Sequence, residues 1–156
     1  MAVKPIPDGY HSVTPYLIMN DATAALEFYK KALGAVELMR MPGPDGKIGH
    51  AEIRIGDSPI MLADESPAMG ARSARTIGGS PISLMIYVED VDARVAQAVA
   101  AGAALVRPVA DQFYGDRTGG IDDPYGFQWY LATHIEDVPP DELEKRAAKA
   151  MGGGAD

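Results

Sequence analysis

The sequence predicts an α+β protein built from two tandem modules, each with the element order βαβββ. Three observations support this fold class. An internal repeat with an offset of 69 positions aligns residues 14–33 with residues 83–102, and both segments pass from an apolar stretch to an amphipathic stretch. The same offset places residues 60–63 on residues 129–132. Short segments with a hydrophobic period of two follow each amphipathic stretch, which is typical of strands.

The first module is expected over residues 10–65. Its predicted strands lie at residues 12–19, 36–41, 48–55 and 59–63. Asn20 and Asp21 are candidate N-caps of the helix after the first strand, because their side chains can accept from free backbone N–H groups. Gly34 ends the helical pattern, since glycine readily adopts the left-handed conformation found at helix C-termini.

The second module is expected over residues 81–135, and the two modules together are expected to form one domain. Its predicted strands lie at residues 82–88, 105–108, 115–121 and 127–133, with a helix from Val91 to Gly102 after the first of them. Residues 66–80 are rich in Gly, Ser and Ala and predict a flexible connector. Residues 136–156 predict a charged C-terminal helix and a frayed tail, GGGAD.

Composition and charge exclude several classes of protein. The chain of 156 residues has no cysteine, which excludes disulfides, thiolate metal sites and cysteine nucleophiles. No apolar segment approaches the ~20 residues of a membrane span, and no secretory leader pattern is present, so we expect a cytoplasmic protein. The net charge of −8 disfavours nucleic acid as a partner and favours cationic ligands.

Four segments carry a likeness to a known family. They are NDATAALEFYKKALGA, GHAEIRIGDSPIMLADE, FYGDRTGGIDDPYGFQWYLATH and EDVPPDELEKR. The chain resembles, over residues 10–146, the vicinal oxygen chelate superfamily of glyoxalase I, extradiol dioxygenases and fosfomycin and bleomycin resistance proteins, and most closely its PhnB-like branch. The resemblance implies a cup-shaped mixed sheet made by both modules laid edge to edge, with helices on its convex face and ligands inside the cup.

The resemblance also allows a metal site to be tested. In metal-dependent members, four ligands, typically His, Gln or Glu, converge from the first and last strands of both modules. The matching positions here are Thr14, Met61, Ser83 and Tyr130, and none is an ordinary ligand for a divalent ion. We therefore expect no metal cofactor. The alternative is a displaced ion such as Zn, Ni, Mn or Fe, bound through a site rebuilt from His50 and Glu52.

Strand alternation separates the side chains expected to face the cup from those expected to face the helices. The candidate ligand-binding residues on the cup side are Thr14, Tyr16, His50, Glu52, Met61, Ser83, Met85, Gln128 and Tyr130. Aromatic and apolar walls with a few polar groups are typical of small-molecule sites. The same tyrosines could instead fill a collapsed cup, and the methionines could be packing filler.

The leading hypothesis is a homodimeric protein of the glyoxalase and bleomycin resistance type. It would sequester a cationic or aromatic small molecule without a metal and without chemistry. The alternative is a lyase or dioxygenase-type enzyme, with His50 as the base and Glu52 or Arg117 as its partner. A third is a structural or regulatory dimer whose own side chains fill the cup. The sequence leaves open whether the modules pair within one chain or between two.

Overall fold

A computed structural model describes residues 2–152, and the expected frayed tail lies, from residue 153 on, outside these residues. The elements in chain order are β1 (Tyr16–Met19), α1 (Ala22–Leu33), β2 (Val36–Pro42), β3 (Ile48–Ile55), β4 (Ser58–Asp64), α2 (Ala74–Ile77), β5 (Ser83–Tyr87), α3 (Val91–Ala101), β6 (Ala104–Asp111), β7 (Asp116–Asp122), β8 (Gln128–His134) and α4 (Pro140–Gly152). The predicted α+β class and the repeated βαβββ order are confirmed. No helix within residues 2–152 is long and apolar enough to cross a membrane.

The strands form two four-stranded mixed sheets. The first sheet has the order β1-β4-β3-β2 and the second has the order β5-β8-β7-β6. In both, the first strand runs parallel to the last and the other pairs are antiparallel. Tyr16 pairs with Met61 in the first sheet, and Met85 pairs with Tyr130 in the second. These two pairs are related by the 69-residue offset, so the repeat extends to strand register.

The helix N-termini repeat in the same way. Asp21 and Asp90 are the N-caps of α1 and α3, and each side chain accepts from the backbone N–H three residues later. Asp64 and Thr133 occupy equivalent positions after the 69-residue shift, and each accepts from the N–H of the first residue of the neighbouring helix. Side-chain acceptors satisfy N–H groups that would otherwise lack partners at a helix start.

The two modules of one chain meet through their helices. Helices α1 and α3 contact each other, and one continuous hydrophobic core includes residues of both modules. No backbone pairing joins the two sheets within residues 2–152. This differs from the expectation that the two modules lie edge to edge and form one cup-shaped sheet. The reason is the amount of apolar surface on α1, where Leu26, Phe28 and Tyr29 are all buried.

The buried carboxylate of Asp123 links the modules. It accepts from the Tyr29 hydroxyl at 2.6 Å and from the Trp129 indole N–H at 2.9 Å. It also accepts from the backbone N–H groups of Tyr125 and Phe127, as a turn-forming aspartate does. Burial, and then the neighbouring Asp123 carboxylate, raise the pKa of Tyr29 well above its ordinary value, which keeps the hydroxyl protonated as a donor.

The connector between the modules is folded. It contains a short 3-10 turn at Pro67–Met69 and the helix α2. The Glu65 carboxylate accepts from the N–H of Ser73, which is fully buried, and the Arg75 guanidinium donates to the carbonyl oxygen of Pro124. These contacts fix the path of a segment whose composition alone predicted flexibility.

The predicted separation of the sheet faces agrees with burial except at two positions. Ile53, Leu62 and Trp129 are buried on the helix side, as expected. Alternation along the predicted strands 12–19 and 82–88 also assigns Val13 and Ile82 to the helix side, and this assignment is wrong, since they are 83% and 67% exposed. Both residues precede their strands, so strand alternation does not apply to them.

His134 lies at the end of β8 between two carboxylates. Its Nδ1 atom is 2.7 Å from Asp116 and its Nε2 atom is 2.8 Å from Asp137. The hydrogen bonds to Asp137 and to Asp116 raise the pKa of His134, because both favour the imidazolium form.

We expect Tyr29→Phe to lower the free energy of unfolding by about 1–3 kcal/mol, since it removes one donor from a buried carboxylate. Urea denaturation measures this change. Tyr125→Phe is the matched control, because Tyr125 gives Asp123 only its backbone N–H, and it should change stability much less. Equal losses in the two variants would show that the Tyr29 hydroxyl contributes nothing specific.

We expect the stabilisation by His134 to decrease as the pH rises. A raised pKa means that the charged form stabilises the fold fully below the unfolded value near 6.5, and that this contribution is lost as pH rises through the folded value. Urea denaturation should therefore separate His134→Gln from the native protein more at about pH 5.5 than at about pH 8.5.

His11→Gln is the control for this pH dependence. His11 is largely exposed and its Nε2 atom lies 3.9 Å from Asp57, at the limit of an ion pair. A gap between His134→Gln and the native protein that does not shrink with rising pH would contradict the assignment.

Candidate functional site

Each sheet has an outer face, defined as the side opposite its helix. Four neighbouring side chains cross the first outer face from β2 to β1 in one row, namely Met39, Glu52, Met61 and Tyr16. The equivalent row on the second outer face is Arg107, Gly120, Tyr130 and Met85. The two rows therefore share one backbone arrangement, but the first contains the negatively charged Glu52 and the second contains the positively charged Arg107.

The second outer face contains a cleft of about 580 Å³. Its lining residues are Met85, Val106, Arg107, Pro108, Gln112, Tyr114, Thr118 and Tyr130. The volume lies within the range of small-molecule sites, and the lining combines apolar walls with hydroxyl and amide groups. Of the lining residues within 2–152, Arg107 alone is charged.

Gly120 forms the floor beneath the two largest side chains of the cleft. The Arg107 guanidinium lies over the Tyr130 ring, 5.8 Å from its centroid, and the Tyr130 hydroxyl donates to Gln128 at 2.9 Å. A Cβ atom at position 120 would approach the Arg107 side chain to 3.2 Å and the Tyr130 ring to 3.3 Å. Glycine therefore allows the guanidinium and the ring to settle onto the sheet in a stacked pair.

The first outer face contains a chain of hydrogen-bonded polar side chains. The Tyr16 hydroxyl lies 2.8 Å from His50 Nδ1, and His50 Nε2 lies 3.0 Å from Glu52 Oε1. Tyr10, from the N-terminal arm, donates its hydroxyl to the other oxygen of Glu52. The sequence predicted the contact between His50 and Glu52 from their spacing on one strand, and the structure adds a tyrosine at each end.

Other residues expected in the site lie apart from these two groups. Arg117 extends to the helix side of the second sheet, where it pairs with Asp92 and Asp111. Arg117 and His50 therefore lie in different sheets and on opposite faces. Arg117 cannot be the partner of a base at His50. Thr14 precedes β1, and Ser83 is the exposed first residue of β5.

The residues at the family's metal positions do not fit a divalent ion. In the structure, Met61 and Tyr130 pair with the outward-facing residues Tyr16 and Met85. The metal positions on β1 and β5 therefore fall on Tyr16 and Met85, which lie two residues after Thr14 and Ser83. Neither set contains an imidazole or a carboxylate. No group of three or more His, Cys, Asp or Glu side chains suited to a metal occurs within residues 2–152.

A wider groove of about 1320 Å³ separates the modules where their sheets do not pair. It lies between the β3–β4 turn of the first module and β5 of the second. Leu84 and Ile86, which are only partly buried, line it together with Val36 and Arg54. The groove is open and borders an unpaired strand edge, which is typical of a surface covered by another chain and less of a ligand pocket.

Several residues of the cleft were missed at the level of sequence. Arg107, Gln112 and Thr118 lie near the bulged pairing of β6 with β7, where strand alternation gives no dependable face. The 69-residue offset does not identify Arg107 either, because it aligns Arg107 with Leu38, whereas the strand register gives Arg107 the place of Met39. Tyr114, an aromatic residue in a polar part of the sequence, also lines the cleft.

Comparisons with known proteins agree with this geometry. An uncharacterized protein of Mycobacterium tuberculosis, Rv0887c, is 41% identical over 146 residues, covering 92% of this chain and 85% of the relative. The structure of TioX from Micromonospora sp. ML1 matches with a TM-score of 0.65 and 26% identity, over 80% of this chain and 99% of that one. The PhnB protein from Bacillus cereus shares the fold at a TM-score of 0.62 and 19% identity, over 79% and 99% of the two chains.

The family comparison covers most of the chain. The model of the glyoxalase/bleomycin resistance protein/dioxygenase superfamily matches residues 9–131, which include all eight strands except the end of β8. This match, over well more than half of the chain, shows that the chain belongs to the glyoxalase/bleomycin resistance protein/dioxygenase superfamily.

Proposed function

We propose that this protein binds a small aromatic molecule in the cleft of the second outer face, without a metal. The observation that supports this most directly is the stacked pair of Arg107 and Tyr130 inside a cleft of about 580 Å³. A flat ring can pack against Tyr130 and Met85, while the Thr118 hydroxyl and the Gln112 amide supply orienting hydrogen bonds. The absence of cysteine is consistent with work in the cytoplasm.

The local charge of the cleft favours an anionic group on the ligand. The acidity of the whole chain suggested a cationic ligand, but that charge of −8 is spread over the surface and is screened within about 8–10 Å. Arg107 lies in the lining itself, where a carboxylate at contact distance interacts far more strongly than with distant surface charges. An aromatic carboxylate therefore matches the cleft better than an aromatic amine.

We further propose that the protein is a homodimer in which a second copy covers the wide groove. Large apolar side chains on the outer faces are strongly exposed in the single chain, including Val36, Met41 and Tyr87 at 48%, 55% and 63%. The outer edge of β5 is also unpaired. A second copy supplies both apolar surface and matching strand edges, because each chain contains the same two modules.

The charge preference can be measured with two probes that share one ring system, 1-naphthoate and 1-naphthylmethylammonium. Isothermal titration calorimetry should give tighter binding of the carboxylate. We expect Arg107→Gln to raise the Kd for naphthoate about tenfold, since it removes the only cation of the cleft. Tyr130→Ala should weaken both probes, because it removes the stacking surface.

Arg72→Gln is the matched control, since it removes the same charge from an exposed position in the connector. It should leave the Kd for naphthoate within about twofold of the native value.

Dialysis against EDTA should not change binding. Stoichiometric zinc, nickel, manganese or iron in the purified protein, lost in His50→Ala, would favour the enzyme alternative. Tighter binding of the ammonium probe would contradict the charge argument, and no binding of either probe would contradict the site.

The assembly can be tested with two substitutions of the same kind. The native protein should sediment at twice the chain mass of 16.5 kDa. Val36→Asp places a charge in the groove and should shift the mass towards the monomer, because a buried unpaired carboxylate is strongly unfavourable at an interface. Val99→Asp, on the exposed side of α3 at 41% exposure, should remain a dimer. A native monomer would rule out the second copy.

A further inference from the structure

The polar chain on the first outer face has the arrangement of an activated nucleophile. Tyr16, His50 and Glu52 are joined in that order by hydrogen bonds of 2.8 and 3.0 Å. Tyr16 lies on β1 and the other two residues on β3, so the chain crosses the intervening strand β4. We propose that Tyr16 is a nucleophile activated by His50 as its base, with Glu52 as the orienting carboxylate, in a site that accepts acyl groups from small activated esters.

The polarity of the two hydrogen bonds follows from Glu52. A carboxylate only accepts, so His50 Nε2 carries the hydrogen that points at Glu52 Oε1. In a neutral imidazole Nδ1 is then the unprotonated nitrogen, and it accepts from the Tyr16 hydroxyl. This is the sequence of nucleophile, base and orienting acid that hydrolytic triads use on unrelated folds.

The carboxylate is held in place from its other side. Tyr10 donates to Glu52 Oε2, so both oxygens have a partner and the carboxylate cannot rotate away from His50 without losing a hydrogen bond. An oriented second group of this kind fixes both the ring position and the tautomer of a histidine.

Exposure supports a chemical role for Tyr16. Its side chain is on the surface, at 48% residue exposure, while the side chains of His50 and Glu52 are only 24% and 16% exposed. A small ester can therefore reach the hydroxyl, while the base and its orienting group remain shielded. For a cluster with only a structural role, we would expect no such increase in exposure from Glu52 to Tyr16.

The reaction balances without any further reactant. The Tyr16 oxygen forms a bond to the acyl carbon of the ester, and the bond from that carbon to the alkoxide or phenolate leaving group breaks. The phenolic proton passes to His50 Nδ1, and the imidazolium is stabilised by Glu52. The site lies on the first sheet and is independent of ligand binding in the cleft on the second sheet.

The test uses 4-nitrophenyl acetate and the full-length protein. Release of 4-nitrophenolate is followed by absorbance, and acetylated tyrosines are located by peptide mass spectrometry. Tyr16 should be acetylated faster than Tyr114, which has a similar exposure at 40%. Tyr114 lies between β6 and β7 in the second module, away from His50, so its acetylation measures the reactivity of an exposed phenol without that base.

The variants identify the base. His50→Gln should slow acetylation of Tyr16 by at least about tenfold, and Glu52→Gln should slow it less, since the base remains but its tautomer is no longer fixed. Acetylation of Tyr114 serves as the internal reference in every variant. Circular dichroism checks that each variant is folded, and the comparison of Tyr16 with Tyr114 in the native protein stands even if His50→Gln unfolds.

Three outcomes would overturn the proposal. They are acetylation of Tyr16 no faster than that of Tyr114, a Tyr16 rate unchanged in folded His50→Gln, and stable acetylation only at lysines. None of these outcomes bears on the naphthoate titration, so a failure here and a failure of the proposed ligand cleft can be told apart.

Discussion

The buried carboxylate of Asp123 is the contact on which the arrangement of the two modules depends. It lies in the β7–β8 turn of the second module, yet it accepts from Tyr29 in the helix of the first module and from Trp129 in β8. A buried carboxylate is unfavourable unless donors surround it, and four donors do so here. Because these donors come from two modules and from the turn itself, the carboxylate is satisfied only when α1 packs against the second module.

That arrangement decides where chemistry can take place. With the helices meeting in the centre of the molecule, both sheets turn their outer faces to solvent, and their polar groups remain available. The two faces share a backbone plan but differ in charge, with Glu52 at the position that Gly120 occupies in the second sheet. One face carries a tyrosine, a histidine and a carboxylate, and the other carries an arginine stacked on an aromatic ring. The repeat thus presents two different sets of side chains on one backbone arrangement.

The sequence was sufficient for the fold and for part of the site. The repeat and the periodicity predicted all eight strands, the helices α1 and α3 and the contact between His50 and Glu52, because these features depend on local spacing. The roles of Tyr10, Arg107 and Arg117 could not be predicted, since they depend on the path of the N-terminal arm, a bulged strand pair and the packing of α3. Composition also predicted a flexible connector, but the hydrogen bonds that Glu65 accepts from Ser73 and that Arg75 donates to the carbonyl oxygen of Pro124 hold it in a folded path.

The equivalence of Asp64 and Thr133 has a consequence for how such a protein changes over time. The two side chains differ in charge and size, yet each accepts from the first N–H of a helix, so the scaffold requires only an oxygen at that place. The groups that maintain the scaffold lie mainly on the helix side and at helix ends, whereas the groups that would meet a ligand lie on the outer faces. Substitutions of exposed outer-face residues should therefore cost less stability than substitutions on the helix side, and the ligand range of the protein can evolve, or be redesigned, with less effect on its stability.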